Sequence, residues 1–106
     1  MNTHMILHLL HILIMGPFLL YIGLGYPISP WIVIAVGCVV ILYQGYKVVT
    51  HYLAKEAVWV NLFHVLVVGP ALLGYGLTEE RYWRELIFML GFAAIGYHGY
   101  YLAQSI

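Results

Sequence analysis

The sequence predicts an all-α integral membrane protein with four transmembrane helices, and three observations carry that expectation. Of its 106 residues, 64% are hydrophobic and only 8% charged, with a mean hydropathy of +0.94. A soluble domain carries roughly 25% charged residues, so water is not the solvent this chain is built for. Polar breaks divide it into four apolar runs, near Met5–Leu24, Trp31–His51, Val58–Leu77 and Glu85–Gln104. Each run matches the ~20 residues that a helix needs to cross ~30 Å of hydrocarbon. The runs are continuous rather than alternating, which excludes a barrel. Together they occupy nearly the whole chain, so residues 1–106 read as a single transmembrane domain.

Each element has a local rationale. The first run opens with Met-Asn-Thr-His, without Lys or Arg, and is long enough to be a permanent helix rather than a cleaved signal. YPISP (26–30) follows it, and its prolines and serine stop one helix and start the next. LAKEA (53–57) is so short that the second and third helices are expected nearly to abut. TEERYWRE (78–85) lacks a capping box, but its acidic residues suit the positive start of the fourth helix. Short links favour antiparallel neighbours and hence an up-down-up-down four-helix bundle. Trp31, Trp59, Trp83, Tyr82 and Tyr101 lie near run ends, where amphipathic rings anchor at the headgroups.

The formal net charge is zero with histidines neutral, which argues against a nucleic-acid partner. Lys47 and Lys55 flank one connection, while Arg81 and Arg84 lie in the next among Glu79, Glu80 and Glu85. The count of basic residues is therefore balanced across the membrane, and orientation is nearly a tie. An even number of spans puts both termini on one side, with the cytoplasmic side preferred. Cys38 is the only cysteine, so no intramolecular disulfide forms. Mid-span, its thiol behaves as a small apolar group.

The two halves of the chain resemble each other. With an offset of 53, HILIMGP (11–17) falls on HVLVVGP (64–70), and Leu9, His11, Leu13, Gly16, Pro17, Leu19, Leu20, Gly23 and Leu24 all meet identical residues. With an offset of 54, YQGY (43–46) falls on YHGY (97–100), and Gly37 and Ile41 meet Gly91 and Ile95. Leucine matches are cheap in apolar sequence, but the His, Gly and Pro matches are not. The expected organisation is two tandem parallel helix-hairpin repeats, 5–52 and 58–105, related by an axis along the membrane normal.

Depth follows from a rise of ~1.5 Å per residue. On that scale His11, His64, Gln44 and His98, with Tyr43 and Tyr97 beside them, fall in one slab ~5 Å from the middle of the membrane. His8 and Asn61 occupy matching positions one turn further out. Unsatisfied polar groups in hydrocarbon cost several kcal/mol, so the slab is expected to face the bundle interior. Pro17 and Pro70 lack the amide that would bond Leu13 and Leu66, so helix kinks are expected at Gly16-Pro17 and Gly69-Pro70, each with an acceptor exposed half a turn beyond a histidine.

Three functional readings fit this layer. It is a binding or conducting site for protons or small polar solutes, since histidine titrates near neutrality and tyrosine and glutamine relay or coordinate. Four helices are too few to wall an aqueous pore, so a channel would need a homo-oligomer. Alternatively, the polar groups hold helices in register, and the protein is a scaffold or assembly partner in a larger membrane complex. A third reading is a b-type haem for electron transfer, with His11 and His64 as axial ligands from diagonal helices. His4, His8 and His11 also have the spacing of a zinc or copper site on one helical face. No nucleophile–base pair, phosphate-binding loop or paired carboxylate is present, so nothing argues for an enzyme. Gly99 and Ala103 form the nearest small-residue pair for helix contact. Beyond these, the one partner implied is the lipid bilayer.

Overall fold

In hydrocarbon no water is present to bond an open backbone, so each apolar run must satisfy its own amides and carbonyls as a helix. A computed structural model describes residues 3–105 of the 106, leaving Met1, Asn2 and Ile106 outside the described residues. It contains four long helices, α1 (Thr3–Gly23), α2 (Pro30–Leu53), α3 (Trp59–Thr78) and α4 (Arg81–Ser105). All four are long and apolar enough to cross a membrane, and no strand occurs among the described residues.

The connections are specific stops rather than slack chain. Gly25 takes a left-handed φ of +86° after α1, with its N–H on the Ile22 carbonyl. Tyr21 Oη then donates to the Pro27 carbonyl at 2.7 Å and ties the following loop back to α1. Pro30 opens α2 where its missing N–H costs nothing. The second and third helices do not abut, because α2 ends in a Schellman motif. Lys55 is left-handed at φ 60°, its N–H reaches Tyr52, and the Glu56 N–H reaches His51. Glu79 ends α3 in the same left-handed region and bonds Tyr75 at 2.7 Å. The fourth helix consequently begins at Arg81 rather than Glu85.

The chain forms two compact units: α1 with most of α4 (Met1–Pro27 and Arg84–Ile106), and α2 with α3 (Ile28–Trp83). Helix pairing in lipid relies on close van der Waals packing, which small residues permit. In the α1·α4 unit Gly23 lies against Phe88, Gly91 against Leu20 and Gly16 against Ile95, an antiparallel sequence of contacts. In the α2·α3 unit Gly76 lies against Ile34, Gly37 against Leu72 and Leu73, and Gly69 against Ile41. This second unit is antiparallel too. Its contacts use residues displaced by 53 and 54 positions from those of the first.

A methyl group at Gly23 would fall 2.5 Å from the Phe88 Cα, a backbone atom that does not yield. Gly23→Ala is therefore expected to destabilise the α1·α4 unit by about 1–3 kcal/mol, the usual range for overpacking. A Cβ at Gly45 meets nothing within 4 Å, so Gly45→Ala should leave the thermal midpoint in detergent unchanged or slightly raised. Melting both variants side by side checks the contrast.

Candidate functional site

Three imidazoles meet inside the α1·α4 unit. His8 and His11 lie on one face of α1, and His98 comes from α4. His8 Nδ1 and His98 Nδ1 are hydrogen-bonded at 2.8 Å, so one ring donates and the other accepts. The His11 ring stacks on His98 at 4.0 Å between centroids, inclined by 26°. Tyr101 stacks on His8 at 6.1 Å, and Tyr97 stands edge-on to His98 at 5.1 Å. His98 is only 6% exposed, the one buried polar side chain among the described residues. His8, His11 and Tyr97 are half-buried.

His11 Nδ1–H donates to the Leu7 carbonyl at 2.9 Å. A carbonyl oxygen only accepts, so in neutral His11 the lone pair resides on Nε2. His64 is held in the same way, with Nδ1–H on the Val60 carbonyl at 2.8 Å. Backbone thus sets the same tautomer in both residues.

Each of these histidines begins a π-helical turn, His11–Met15 in α1 and His64–Val68 in α3. The Gly16 N–H bonds the His11 carbonyl and the Gly69 N–H bonds the His64 carbonyl, one residue further back than in an α-helix. Pro17 and Pro70 come next and have no N–H to return to the α pattern. The wider turn corrects a phase problem. The face of α1 that meets α4 runs His8, His11, Gly16, Leu20 and Gly23, whose steps of three or four are interrupted by one of five. At ~100° per α-residue, a five-residue step would swing Gly16 away from that face. The π turn absorbs the extra residue and keeps histidine and glycine on one line.

The α2·α3 unit carries a different polar set. Gln44 is half-buried, and its Oε1 is enclosed without a hydrogen-bond partner. Asn61 turns to the end of α2, where its Nδ2 lies 3.1 Å from His51 Nδ1. That same His51 nitrogen lies 3.2 Å from the Ala57 carbonyl. One ring nitrogen satisfies only one of these at a time: it accepts from Asn61 in the tautomer with the hydrogen on Nε2 and donates to the Ala57 carbonyl in the other. Tyr43 is 54% exposed and departs from the inward-facing expectation; Lys47 Nζ sits 5.9 Å from its ring centroid.

Of the residues read from sequence, His8, His11, His98 and Tyr97 are brought together in one unit, while Gln44, Asn61, His64 and Tyr43 belong to the other. Depth counted from the apolar runs places His8 one turn further out than His98. With α1 beginning at Thr3 and α4 at Arg81, His8 and His98 each stand five residues from their helix midpoints, which makes them level. Tyr101 and His51 were not singled out as site residues. Tyr101 read as a headgroup anchor, and nothing in the sequence linked His51 to Asn61. Among the described residues no three His, Cys, Asp or Glu side chains, the His4, His8, His11 set included, are gathered in a way that could hold a metal ion.

The phase argument has a direct test. Removing Leu13, an exposed residue inside the π turn, together with Pro17→Ala leaves a four-residue His–Gly step in a continuous α-helix. That double variant should retain the His11–His98 contact in solid-state NMR and melt near the parent, whereas removing Phe18 should abolish both. Comparison with protein-family models, with curated proteins and with solved structures finds no match for this chain, so its function has to be read from these side chains.

Proposed function

We propose that the protein is a membrane-embedded module that binds or conducts protons or small polar solutes through its histidine-rich layer, acting as a homo-oligomer. The observation that carries this reading is the linked set His11, His98 and His8, in hydrogen-bond or stacking contact within helices able to span a membrane. Ionisable groups at such depth are costly and normally functional. Neither α1 nor the half of α4 around His98 contains Asp, Glu, Lys or Arg, so histidine is the group there suited to proton exchange near neutrality. The homo-oligomer enters because four helices alone leave little room for a walled path.

Internal duplication belongs to the same reading. Matching glycine contacts, matching π turns and the matched Nδ1 bonds of His11 and His64 all support two hairpin repeats descended from one. An up-down-up-down course accords with the antiparallel packing inside each unit.

Purified protein in liposomes under a pH gradient is expected to dissipate that gradient. The combined variant His11→Ala, His64→Ala, His98→Ala is expected to reduce the rate at least tenfold while remaining folded. Flux unaffected by the combined variant removes the histidine layer from transport. Variants that only lower the melting temperature, in a protein with no flux, leave the scaffold role. A Soret absorption band lost with His11→Ala and His64→Ala assigns haem b instead.

A further inference from the structure

The two units share a framework but not its chemistry. At positions matched by the offsets of 53 and 54, His8 corresponds to Asn61, His98 to Gln44 and Tyr101 to Lys47. Paired imidazoles occur in the α1·α4 unit, and neutral amides stand at the same places in the α2·α3 unit. Deepening the function proposed above, on which it rests for its biological purpose, we infer that His8 and His98 form a proton-binding site holding one added proton in common between the two rings.

The geometry suits this sharing. The two nitrogens are 2.8 Å apart and of the same type, so either can donate to the other. Protonation converts a neutral hydrogen bond into a charge-assisted one, roughly twice as strong. It also spreads the positive charge over two rings, which lessens the cost of a charge in hydrocarbon. The faces of His11 and Tyr101 lie against the pair, and aromatic faces attract cations. The titratable groups around it are His4 and His11 on α1 and Tyr97 and Tyr101 on α4. Among the described residues none of these groups is a carboxylate. Glu85, the nearest carboxylate along α4, is thirteen residues from His98, about 20 Å along the helix. The rings themselves must therefore hold the charge.

Proton movement balances without any other reactant. In the neutral pair the donor ring carries its proton on Nδ1 and the acceptor ring carries its own on Nε2. A proton entering at the donor's Nε2 makes an imidazolium, and the Nδ1 proton then passes to the acceptor's Nδ1. Loss of the acceptor's Nε2 proton completes the exchange, with one proton gained and one released. The roles of the rings are now reversed, so a second passage in the same direction needs both rings to reset. Buried His98, packed against His11 and Tyr97, resists turning. The pair is accordingly a site that stores and exchanges one proton rather than a continuous wire.

The test uses the full chain, labelled with nitrogen-15 histidine, in lipid nanodiscs from neutral to mildly acidic pH. The expected spectrum has a nitrogen–nitrogen coupling across the His8–His98 bond and a single event that shifts both rings together. His8→Asn and His98→Gln, which install the residues of the other unit, should each abolish that event and lower proton uptake by one per chain. An unchanged His11 Nδ1–H to Leu7 carbonyl bond and an unchanged thermal midpoint show that the α1·α4 unit of these variants is folded. Asn61→His with Gln44→His should add one proton of uptake. Rings that titrate separately, or uptake unaltered by His98→Gln, overturn the site. Shared protonation without liposome flux supports the site and removes only conduction; flux without shared protonation overturns the site and leaves the proposed function standing.

Discussion

Close approach of helix backbones is the constraint on which the rest of this structure depends. Lipid offers no hydrophobic gain for helix pairing, so α1 and α4 must hold together through contact itself. Gly16, Gly23 and Gly91 allow that contact at three successive levels, opposite Ile95, Phe88 and Leu20. Beyond the Gly16–Ile95 level, the same antiparallel register brings His11 and His8 onto His98. The glycines thus determine where the imidazoles meet, although they lie up to 15 residues from them in sequence. Bulk at those positions would alter the polar cluster without touching it.

A second constraint operates on the polar groups. Buried acceptors and donors without partners cost about 1–3 kcal/mol each. The α1·α4 unit meets this by pairing imidazoles with each other and with backbone carbonyls. Each unit also leaves one such atom enclosed and unbonded, Arg84 Nε in the α1·α4 unit and Gln44 Oε1 in the α2·α3 unit. Asn61, which by position would be the natural neighbour of Gln44, is engaged instead at the far end of α2 by His51. The framework is common to both units, but only one of them concentrates its polar groups in a single cluster.

Much of the fold was legible because continuous apolar runs have a clear physical meaning. The four helices lie close to the four runs, and departures occur where charge intervenes. Arg81 and Arg84 give the start of α4 the look of a loop, yet both are helical, and α4 starts at Arg81, two residues after the left-handed Glu79. The short LAKEA link concealed a Schellman turn, since Lys55 gives no glycine signal for it. Site residues were legible as types and depths, but not as partners. Pairing depends on helix phase, and the five-residue spacing in HILIMG and HVLVVG was visible without revealing that a π turn absorbs it. Tyr101 escaped notice because a ring near a helix end has a sufficient explanation as an anchor.

The way the helices divide into units bears on the history of the chain. Under the duplication reading, α1 and α2 come from one copy of an ancestral hairpin, and α3 and α4 from the other. The compact units join α1 with α4 and α2 with α3, so each takes one helix from each copy. Neither hairpin contains the glycine contacts it needs. An ancestor of half this length would have had to exchange helices with a second molecule of itself, as an intertwined dimer, before fusion made that partnership permanent. Under the same reading, divergence of the two copies leaves His8 and His98 in one compact unit and Asn61 and Gln44 in the other.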